Sequence, residues 1–287
     1  DLEELNASDL FQKDATSLRM SDIGYQSQAQ KNLDFKYNNL ASFLNELRTG
    51  IIMPHPEFQK LGLQDENAKY QQISDGILQI ENELYDCIRP KRAGKSGQRP
   101  YQLLKDQGIQ YVEVRGIDLN PSSVLGITED QIRVLDLLLI YCIVNDSPEM
   151  TDEEKLIIEK TDITTIKYGR EDSSKINYRN SEIPISQARD HLVENLLLLA
   201  NEMDDQEYAK AINSLKIKKN VFNQNKSFHE TGLELAKNNS IKLNSLSNID
   251  LDVCKNEASD SLIEFDRINK QTEISFEEFI NSYNAKI

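Results

Sequence analysis

The sequence is poor in the residues that most often mark a metal site or a disulfide scaffold. Its 287 residues include no tryptophan and only three cysteines, Cys87, Cys142 and Cys254, which are widely spaced and form no CxxC pair. This pattern argues against a secreted disulfide scaffold and against a structural zinc site. Cys142 lies in an apolar stretch, so we expect it to be a small buried hydrophobic residue.

Histidine is equally scarce. The three histidines stand at positions 55, 191 and 229, without HxxxH or HExxH spacing. We therefore expect each of them to be structural or to lie on the surface. The chain also has no glycine-rich phosphate loop and no nucleophile-elbow motif, so hydrolase-triad chemistry has no support.

The chain also lacks a surplus of basic residues and a long apolar run. Lysine and arginine number 33 against 48 aspartates and glutamates, for a formal net charge of -15. Such a charge disfavours binding to nucleic acid or anionic membranes, because both reward a basic surface. The longest apolar stretch, residues 134–144, is interrupted by Asp136 and is too short to span a bilayer. Since no secretory signal pattern is found either, we expect a cytoplasmic protein with no nucleic-acid and no membrane partner.

Strand-like segments come early in the chain. The predicted elements are a helix over residues 33–47 closed near Gly50, a strand over 72–86, a basic loop over 89–100, a short helix over 101–107 and a strand over 109–115.

Helix-like segments dominate the rest. They are a helix opened by the capping box of Thr128 and Gln131, a helix over residues 191–203 after a polar loop over 169–184, and helices near 205–215, 229–238 and 276–283. The first of these is apolar on nearly every side, so we expect it to be deeply buried. Asn/Ser-rich links between the last helices indicate a loosely packed end. Strands early and helices late predict an α+β fold, divided into residues 1–165 and a helical tail, residues 166–287.

Two segments combine strand-like alternation with charge. Glu113 and Arg115 share one face of the second predicted strand, about 7 Å apart, and Glu81, Glu83 and Tyr85 share one face of the first. Such a face costs stability unless it is wet, paired or holding a charged ligand. A solvated face with cross-strand ion pairs and a binding site are both open, and the turns that follow the two strands favour a site.

Arg89, Lys91 and Arg92 form a basic cluster in an acidic chain. For Lys91 and Arg92 we favour ion pairs with Glu81 and Glu83. For Arg89, that pairing and a contact with a nucleotide or a carboxylate both stay open. The sequence assigns no further role to the two glutamates.

The same segments resemble a known family. Ile80-Glu-Asn-Glu-Leu-Tyr-Asp-Cys-Ile-Arg-Pro-Lys-Arg92 and Tyr111-Val-Glu-Val-Arg-Gly-Ile-Asp-Leu-Asn-Pro121 resemble the C-terminal half of proteobacterial glutamate–cysteine ligases, or gamma-glutamylcysteine synthetases. Thr16-Ser-Leu-Arg-Met-Ser-Asp-Ile-Gly-Tyr25 precedes them, and Gln131-Ile-Arg-Val-Leu-Asp136 and Asp146-Ser-Pro-Glu-Met150 follow in the same order. The resemblance is dense between the first and the last of these motifs and thins into a helical tail.

The resemblance implies a fold that this chain holds only in part. The family has a twisted antiparallel sheet of the glutamine synthetase-like type, with helices on one side and strands from an N-terminal half. Residues 1–165 would be the C-terminal part of that catalytic sheet domain. The chain is accordingly expected to be a fragment, inactive alone, whose partner is the missing N-terminal half of the same protein.

The implied activity is an ATP-dependent ligation that needs Mg²⁺. ATP phosphorylates the side-chain carboxylate of L-glutamate, and the amine of L-cysteine attacks the resulting gamma-glutamyl phosphate, in the first step of glutathione synthesis. Two alternatives stay open. One is a related carboxylate–amine ligase with another amine acceptor, and the other is a non-catalytic acidic helical interaction module that retains the sheet motifs.

Glu113 and Arg115 carry the implied catalytic chemistry. From its spacing alone, Glu113 is slightly better explained by an ion pair with Arg115 or with a neighbouring strand. The resemblance instead implies that Glu113 is a metal ligand, and a carboxylate oxygen suits Mg²⁺. It also implies that Arg115 faces the transferring phosphoryl group of ATP and the substrate, as catalytic and nucleotide-binding residue, which a permanently charged planar fork can do.

Three further residues are implied to bind substrate. Arg19 would hold a substrate carboxylate, which a guanidinium can do with two hydrogen bonds. Tyr25 and Tyr85 match tyrosines around the cysteine substrate, where a ring gives an apolar wall and a hydroxyl gives a polar tip. From the residues alone, a surface arginine and half-buried packing tyrosines remain open.

Overall fold

The computed structural model describes residues 2–4, 10–95, 97–203, 205–221, 228–244, 251–270 and 274–287. The chain divides into two compact units. Residues 1–24 and 118–246 form the first unit, and residues 25–117 and 247–287 form the second unit. The division between residues 165 and 166, drawn from the sequence as sheet domain and tail, stays a prediction.

The described elements are mostly helices with short strands between them. The strands are β1 Glu3–Glu4, β2 Leu10–Phe11, β3 Ile88–Lys91, β4 Tyr111–Val114, β5 Lys175–Tyr178 and β6 Ser181–Pro184. The α-helices are α1 Leu40–Ile52, α2 Pro56–Leu61, α3 Pro100–Gln107, α4 Glu129–Val144, α5 Asp152–Tyr168, α6 Ile185–Glu202, α7 Gln206–Val221, α8 Phe228–Asn244, α9 Leu251–Lys270 and α10 Phe276–Asn284. Short 3₁₀ turns lie at Gln28–Gln30 and Glu81–Glu83.

Within these described ranges the strands form three two-stranded antiparallel sheets, β1 with β2, β3 with β4 and β5 with β6. The α+β class predicted from the sequence is therefore confirmed. None of the described helices is long and apolar enough to cross a bilayer.

The second unit is built around α1. The side chain of Asn39 accepts a hydrogen bond from the Ser42 amide and so caps the start of this helix. Its apolar face then packs into a core with residues from the following loops and from α3. The buried members of this core are Phe43, Leu44, Leu47, Ile51, Leu78, Leu84, Tyr101 and Leu104. The short helix α3 and the strand β4 lie where the sequence predicts them.

The first unit has its core between α4, α6 and α7. The predicted capping box forms at the start of α4, where Thr128 and Gln131 exchange side-chain and backbone hydrogen bonds. The buried residues of this core are Leu137, Leu196, Ala200 and Ile212.

The prediction of a strand over residues 72–86 is wrong. This segment is irregular and contains the 3₁₀ turn Glu81–Glu83, and the strand β3 follows it at Ile88–Lys91. Glu81 and Leu84 are buried while Asn82 and Tyr85 are exposed, so burial here repeats every three residues, as in a 3₁₀ turn, and not every two, as in a strand. The predicted basic loop accordingly loses its first residues to β3. Pro90 fits there because a two-stranded sheet has only edge strands.

Other predictions from local pattern also fail. Gly50 lies inside α1 instead of ending it, and a Cβ there would lie 2.9 Å from Leu78 Cδ1, so glycine permits close packing. Among the residues of α4 only Leu137 is buried, and Cys142 is exposed. The predicted deep burial of this helix and of its cysteine is therefore wrong.

The predicted polar loop over residues 169–184 contains the hairpin of β5 and β6. Its turn places Arg179 and Asn180 at φ of 51° and 63°, the left-handed conformation that two-residue hairpin turns require. At the C-terminal end, α9 is exposed, but α10 buries Ile280 and Tyr283. The predicted loosely packed end is thus wrong for α10. Residues 245–250 of the predicted links lie outside the described part.

Candidate functional site

The pairing of β3 with β4 assembles a group of charged side chains in the second unit. The register places Arg89 opposite Glu113. The guanidinium of Arg89 donates from Nε and Nη2 to Glu113 Oε2, at 3.2 and 2.8 Å. Arg89 is 5% exposed, whereas the Glu113 side chain is 35% exposed. One member of this pair thus belongs to the interior and the other faces the surface.

Two more cations approach the same carboxylate. Lys91 Nζ lies 3.7 Å from Glu113 Oε2, and Arg115 Nε lies 3.9 Å from Glu113 Oε1. The hydrogen bond from Arg89, helped by the surrounding positive charges, holds the pKa of the Glu113 carboxyl below its ordinary value against the effect of burial. Three cations around one carboxylate leave a surplus of positive charge, which suits an anionic ligand such as a phosphate.

The basic cluster therefore pairs differently from the sequence-based interpretation. Lys91 and Arg89 pair with Glu113, not with Glu81 or Glu83. Arg92 donates to the carbonyl oxygen of Gly108 at 2.6 Å. Burial, followed by the charge of Arg89, lowers the pKa of Lys91, while Glu113 opposes that shift.

Arg89 also fixes the loop before it. Its Nη1 donates to the carbonyl oxygens of Asn82 and Leu84, each at 3.0 Å. These two carbonyls flank the end of the 3₁₀ turn Glu81–Glu83. Arg89 therefore links that turn to Glu113. The sequence had left the role of Arg89 open.

A wall of tyrosines lies beside the charged group. The rings of Tyr25 and Tyr85 pack with centroids 4.2 Å apart, and the Arg115 guanidinium carbon lies 4.9 Å from the Tyr25 ring centroid. The structure thus brings together four of the predicted site residues, Tyr25, Tyr85, Glu113 and Arg115.

Gln30 joins the two tyrosine segments and was not found by sequence reasoning. Its Nε2 donates to the carbonyl oxygen of Glu83 at 2.7 Å, and its Oε1 accepts from the Tyr85 amide at 3.0 Å. A glutamine in a polar loop gives no sequence signal for such a role. Glu81, which the sequence left without a role, is buried against Arg99.

The fifth predicted residue, Arg19, lies in the first unit. Its backbone amide donates to Asp118 Oδ1 at 3.1 Å, and the Ser17 hydroxyl donates to Asp118 Oδ2. The tight turn leaves no space at Gly24, where a Cβ would lie 2.2 Å from the Leu18 carbonyl oxygen. Asp118 thus holds the Arg19 segment. The sequence contained this residue in the Asp-Leu-Asn-Pro motif but indicated only a turn.

A cleft of about 690 Å³ lies in the first unit along this segment. Its walls include Ser17, Ser21 and Asp22 together with Lys167 and Arg170. Burial lowers the pKa of Arg170, although the charges of Asp14 and Asp118 oppose the shift. The volume lies within the range of small-molecule sites, and its polar lining comes from the Arg19 segment together with Lys167 and Arg170.

No cluster of three or more histidine, cysteine, aspartate or glutamate side chains with the geometry of a metal site occurs in the described part of the chain. Glu113 can offer Oε1, because Arg89 and Lys91 engage Oε2. Mg²⁺ commonly takes one or two carboxylates together with substrate phosphates and waters. A single oxygen from Glu113 fits that pattern as one ligand of a site completed by other groups.

Comparison with protein families matches residues 1–164 to the glutamate–cysteine ligase family. The chain is 40% identical over 221 residues to the glutamate–cysteine ligase of Pseudomonas putida, a match that covers 76% of this chain and 42% of that protein. It is 36% identical over 258 residues to the glutamate–cysteine ligase of Alcanivorax borkumensis, covering 82% of this chain and 49% of that protein. The chain spans less than half the length of these two curated relatives.

A solved structure is similar over nearly the whole chain. The crystal structure of a glutamate–cysteine ligase from Francisella tularensis in complex with AMP matches with a TM-score of 0.84 and 28% identity. The match covers 98% of this chain and 59% of that chain. The similarity therefore extends beyond the residues that the family comparison matches.

Proposed function

The chain belongs to the glutamate–cysteine ligase family. From this premise we propose that the full-length protein of which it is a part, called the parent below, is an ATP-dependent carboxylate–amine ligase. The reaction joins the gamma-carboxylate of L-glutamate to the amine of L-cysteine, as the first step of glutathione synthesis. The observation that carries the proposal is the contact of Arg115 with both Glu113 and Tyr25. This contact places a group of cations suited to a phosphate next to two tyrosine rings suited to a small substrate.

Arg115 is the proposed catalytic and nucleotide-binding residue. Phosphoryl transfer depends mainly on positioning and on stabilising spread negative charge, and an arginine fork does both. Arg115 has contacts with two residues of the candidate site, since Glu113 Oε1 lies 3.9 Å from its Nε and the Tyr25 ring centroid lies 4.9 Å from its guanidinium carbon. Together with Lys91, it would face the phosphates of ATP and the gamma-glutamyl phosphate.

Glu113 is the proposed Mg²⁺ ligand through Oε1. When bound, Mg²⁺ neutralises phosphate charge during the transfer. The hydrogen bonds from Arg89 keep Glu113 ionised and fix its orientation, so Oε1 would be presented without a change of rotamer. The lowered pKa of Glu113 favours the charged form that a hard cation requires.

Tyr25 and Tyr85 are the proposed walls for L-cysteine. Their rings pack against each other and would give an apolar wall, and their hydroxyl groups would meet the polar atoms of the substrate. Arg19 is the proposed clamp for a substrate carboxylate. Asp118 supports this role because it fixes the backbone that carries Arg19.

The rest of the parent protein would complete both the sheet and the site. Val112 and Val114 share one face of β4 and are 43% and 36% exposed, so the described part of the chain leaves that face partly uncovered. We propose that strands from the remainder of the parent pair with or cover this region, in a twisted antiparallel sheet of the glutamine synthetase-like type. On this proposal the chain alone is inactive, and the parent works in the cytoplasm.

The test is an acceptor panel with the purified full-length parent. ADP release should require glutamate and Mg²⁺, with cysteine preferred among cysteine, serine, alanine and 2-aminobutyrate. A parent carrying Arg115→Ala is the matched control for contaminating ATPase activity. A clear preference for another amine would reject cysteine as the substrate, and ATP consumption equal to that of the control would favour the non-catalytic interaction module.

A further inference from the structure

A buried ion pair in the second unit lies behind the candidate site. Glu81 is 5% exposed and Arg99 is 1% exposed. Arg99 donates from Nε to Glu81 Oε1 at 2.9 Å and from Nη2 to Glu81 Oε2 at 3.1 Å. The Tyr101 amide adds a hydrogen bond to Oε1 at 3.2 Å. The pair is thus desolvated and geometrically defined.

The C-terminal helix α10 completes this arrangement. The Tyr283 hydroxyl donates to Glu81 Oε2 at 3.3 Å, and Arg99 Nη1 donates to the carbonyl oxygen of Tyr283 at 3.2 Å. The guanidinium carbon also lies 4.1 Å from the centroid of the Tyr283 ring. The carboxylate of Glu81 is therefore also held by Tyr283, which lies 202 positions away in the sequence.

Stability alone does not account for such a pair. Replacing a buried ion pair with packed apolar residues is often neutral or stabilising, because desolvation offsets most of the attraction. In some proteins a buried pair with fixed hydrogen bonds instead specifies one conformation. Ile280 on the same helix is 2% exposed and already anchors α10 by apolar packing.

Glu81 is connected to the candidate site by a few covalent and hydrogen bonds. Glu81 begins the 3₁₀ turn whose next carbonyl, that of Asn82, accepts a hydrogen bond from Arg89. Arg89 in turn holds Glu113. The same turn leads directly into Tyr85 of the tyrosine wall.

We propose that α10 sets the geometry of the candidate site through the Glu81 turn, so that Glu81, Arg99 and Tyr283 are positioning residues. This inference rests on the proposed function for its catalytic consequence. The family comparison ends at residue 164, and Tyr283 lies well beyond it.

The test uses the full-length parent with Tyr283→Phe, which removes one hydrogen bond and keeps the ring. Loss of one such bond corresponds to about a three- to tenfold effect. The KM for cysteine and the KM for ATP should each rise by up to that factor, because the turn leads to Tyr85 and, through Arg89, to Glu113. Tyr283→Leu also removes the ring beneath Arg99 and should give a larger rise. Asn284→Ala is the matched control, because it removes a hydrogen bond from the same helix to the Ile73 carbonyl, outside the turn.

Hydrogen exchange of the same variants provides a readout that needs no activity. The amides of Glu83 and Leu84 bond within the turn, to the carbonyl oxygens of Ile80 and Glu81. Tyr283→Phe should speed exchange in the peptide covering residues 80–91, and Asn284→Ala should not. If the wild-type parent forms no gamma-glutamylcysteine, the proposed function fails, and the exchange result still decides whether α10 controls the turn.

Two results would overturn the inference. The first is unchanged exchange over residues 80–91 in both Tyr283 variants when each shows a cooperative melting transition. The second is a fall in kcat that follows the folded fraction, with both KM values unchanged, since that is the behaviour of a merely structural residue. If Tyr283→Leu does not fold, Tyr283→Phe alone decides between these results.

Discussion

Arg89 and Glu113 face each other across β3 and β4, and the guanidinium directs two hydrogen bonds to a single carboxylate oxygen, Oε2. Arg115 Nε lies 3.9 Å from the other oxygen, Oε1. One carboxylate can therefore serve the fold through Oε2 and a ligand through Oε1.

Glu113→Gln in the parent should lower turnover strongly and raise the Mg²⁺ concentration that half-saturates activity. Glutamine keeps the size and the hydrogen bonds to Arg89 but removes the negative charge that Mg²⁺ prefers. Activity measured across Mg²⁺ concentration tests this, and a ligand role predicts partial rescue at high Mg²⁺. Glu57→Gln is the control, because Glu57 is an exposed carboxylate on α2 in the same unit and lies outside the charged group. Activity that falls without any rescue would instead indicate a repositioned Arg115.

Arg89→Ala should destabilise the chain far more than Arg92→Ala. The first change removes four hydrogen bonds, to Glu113 and to the carbonyls of Asn82 and Leu84, from a residue that is 5% exposed. Loss of charged hydrogen bonds of this kind costs roughly 1.5–3 kcal/mol. Arg92 is only partly buried, so its loss should cost under about 1 kcal/mol. Urea unfolding of both variants measures the free energy of unfolding. Equal losses in the two variants would contradict the proposal that Arg89 links the turn to Glu113.

Arg19→Ala should weaken binding of an amino-acid substrate to the parent while leaving ATP binding nearly unchanged. A lost charge-assisted bidentate contact is worth roughly 1.5–3 kcal/mol, or about one to two decades in KM. Lys210→Ala, which removes an exposed cation from α7 in the same unit and away from the cleft, is the control. KM values for both amino acids that match the wild type would reject the clamp role.

Stability of the chain should fall as the pH rises from about 10 to about 12, partly because of Tyr283. Burial, together with the charge of Glu81, raises the pKa of the Tyr283 phenol from 10.0 to about 12. The unfolded chain then loses this proton at lower pH than the folded chain, so the contribution is present below pH 10 and is lost as the pH approaches 12. The difference between a pKa of 10.0 and one of about 12 corresponds to about 3 kcal/mol. Denaturation across this range should show a shallower decline for Tyr283→Phe, and identical slopes would contradict the assignment.

What the sequence predicts well depends on interactions between near neighbours. The capping box of Thr128 and Gln131 spans three residues, and β4 shows its alternation within one short segment. Tyr25, Tyr85, Glu113 and Arg115 were predicted as site residues from the resemblance to the family. Tyr25 contacts Tyr85 and Arg115, which are distant in the sequence, and composition and periodicity do not predict such contacts.

What the sequence misses depends on distant partners. Glu81 and Arg99 are 18 residues apart, and without that partner a buried glutamate in an alternating segment resembles a strand residue on a charged face. Asp118 holds the Arg19 segment from 99 residues away. The hairpin at Arg179 and Asn180 was missed for another reason. Asparagine often adopts the left-handed conformation in two-residue turns, but the polar composition of the whole segment favoured the interpretation as a loop.

The central claim, that the parent activates the gamma-carboxylate of glutamate with ATP and transfers it to cysteine, is tested most directly with ¹⁸O-labelled glutamate. An acyl-phosphate route moves one carboxylate oxygen into the phosphate that is released when the amine attacks. The account predicts gamma-glutamylcysteine and phosphate that carries one ¹⁸O atom for each peptide bond formed, with both absent in Arg115→Ala. Unlabelled phosphate, or no dipeptide from a folded parent supplied with ATP, Mg²⁺ and both amino acids, would contradict it.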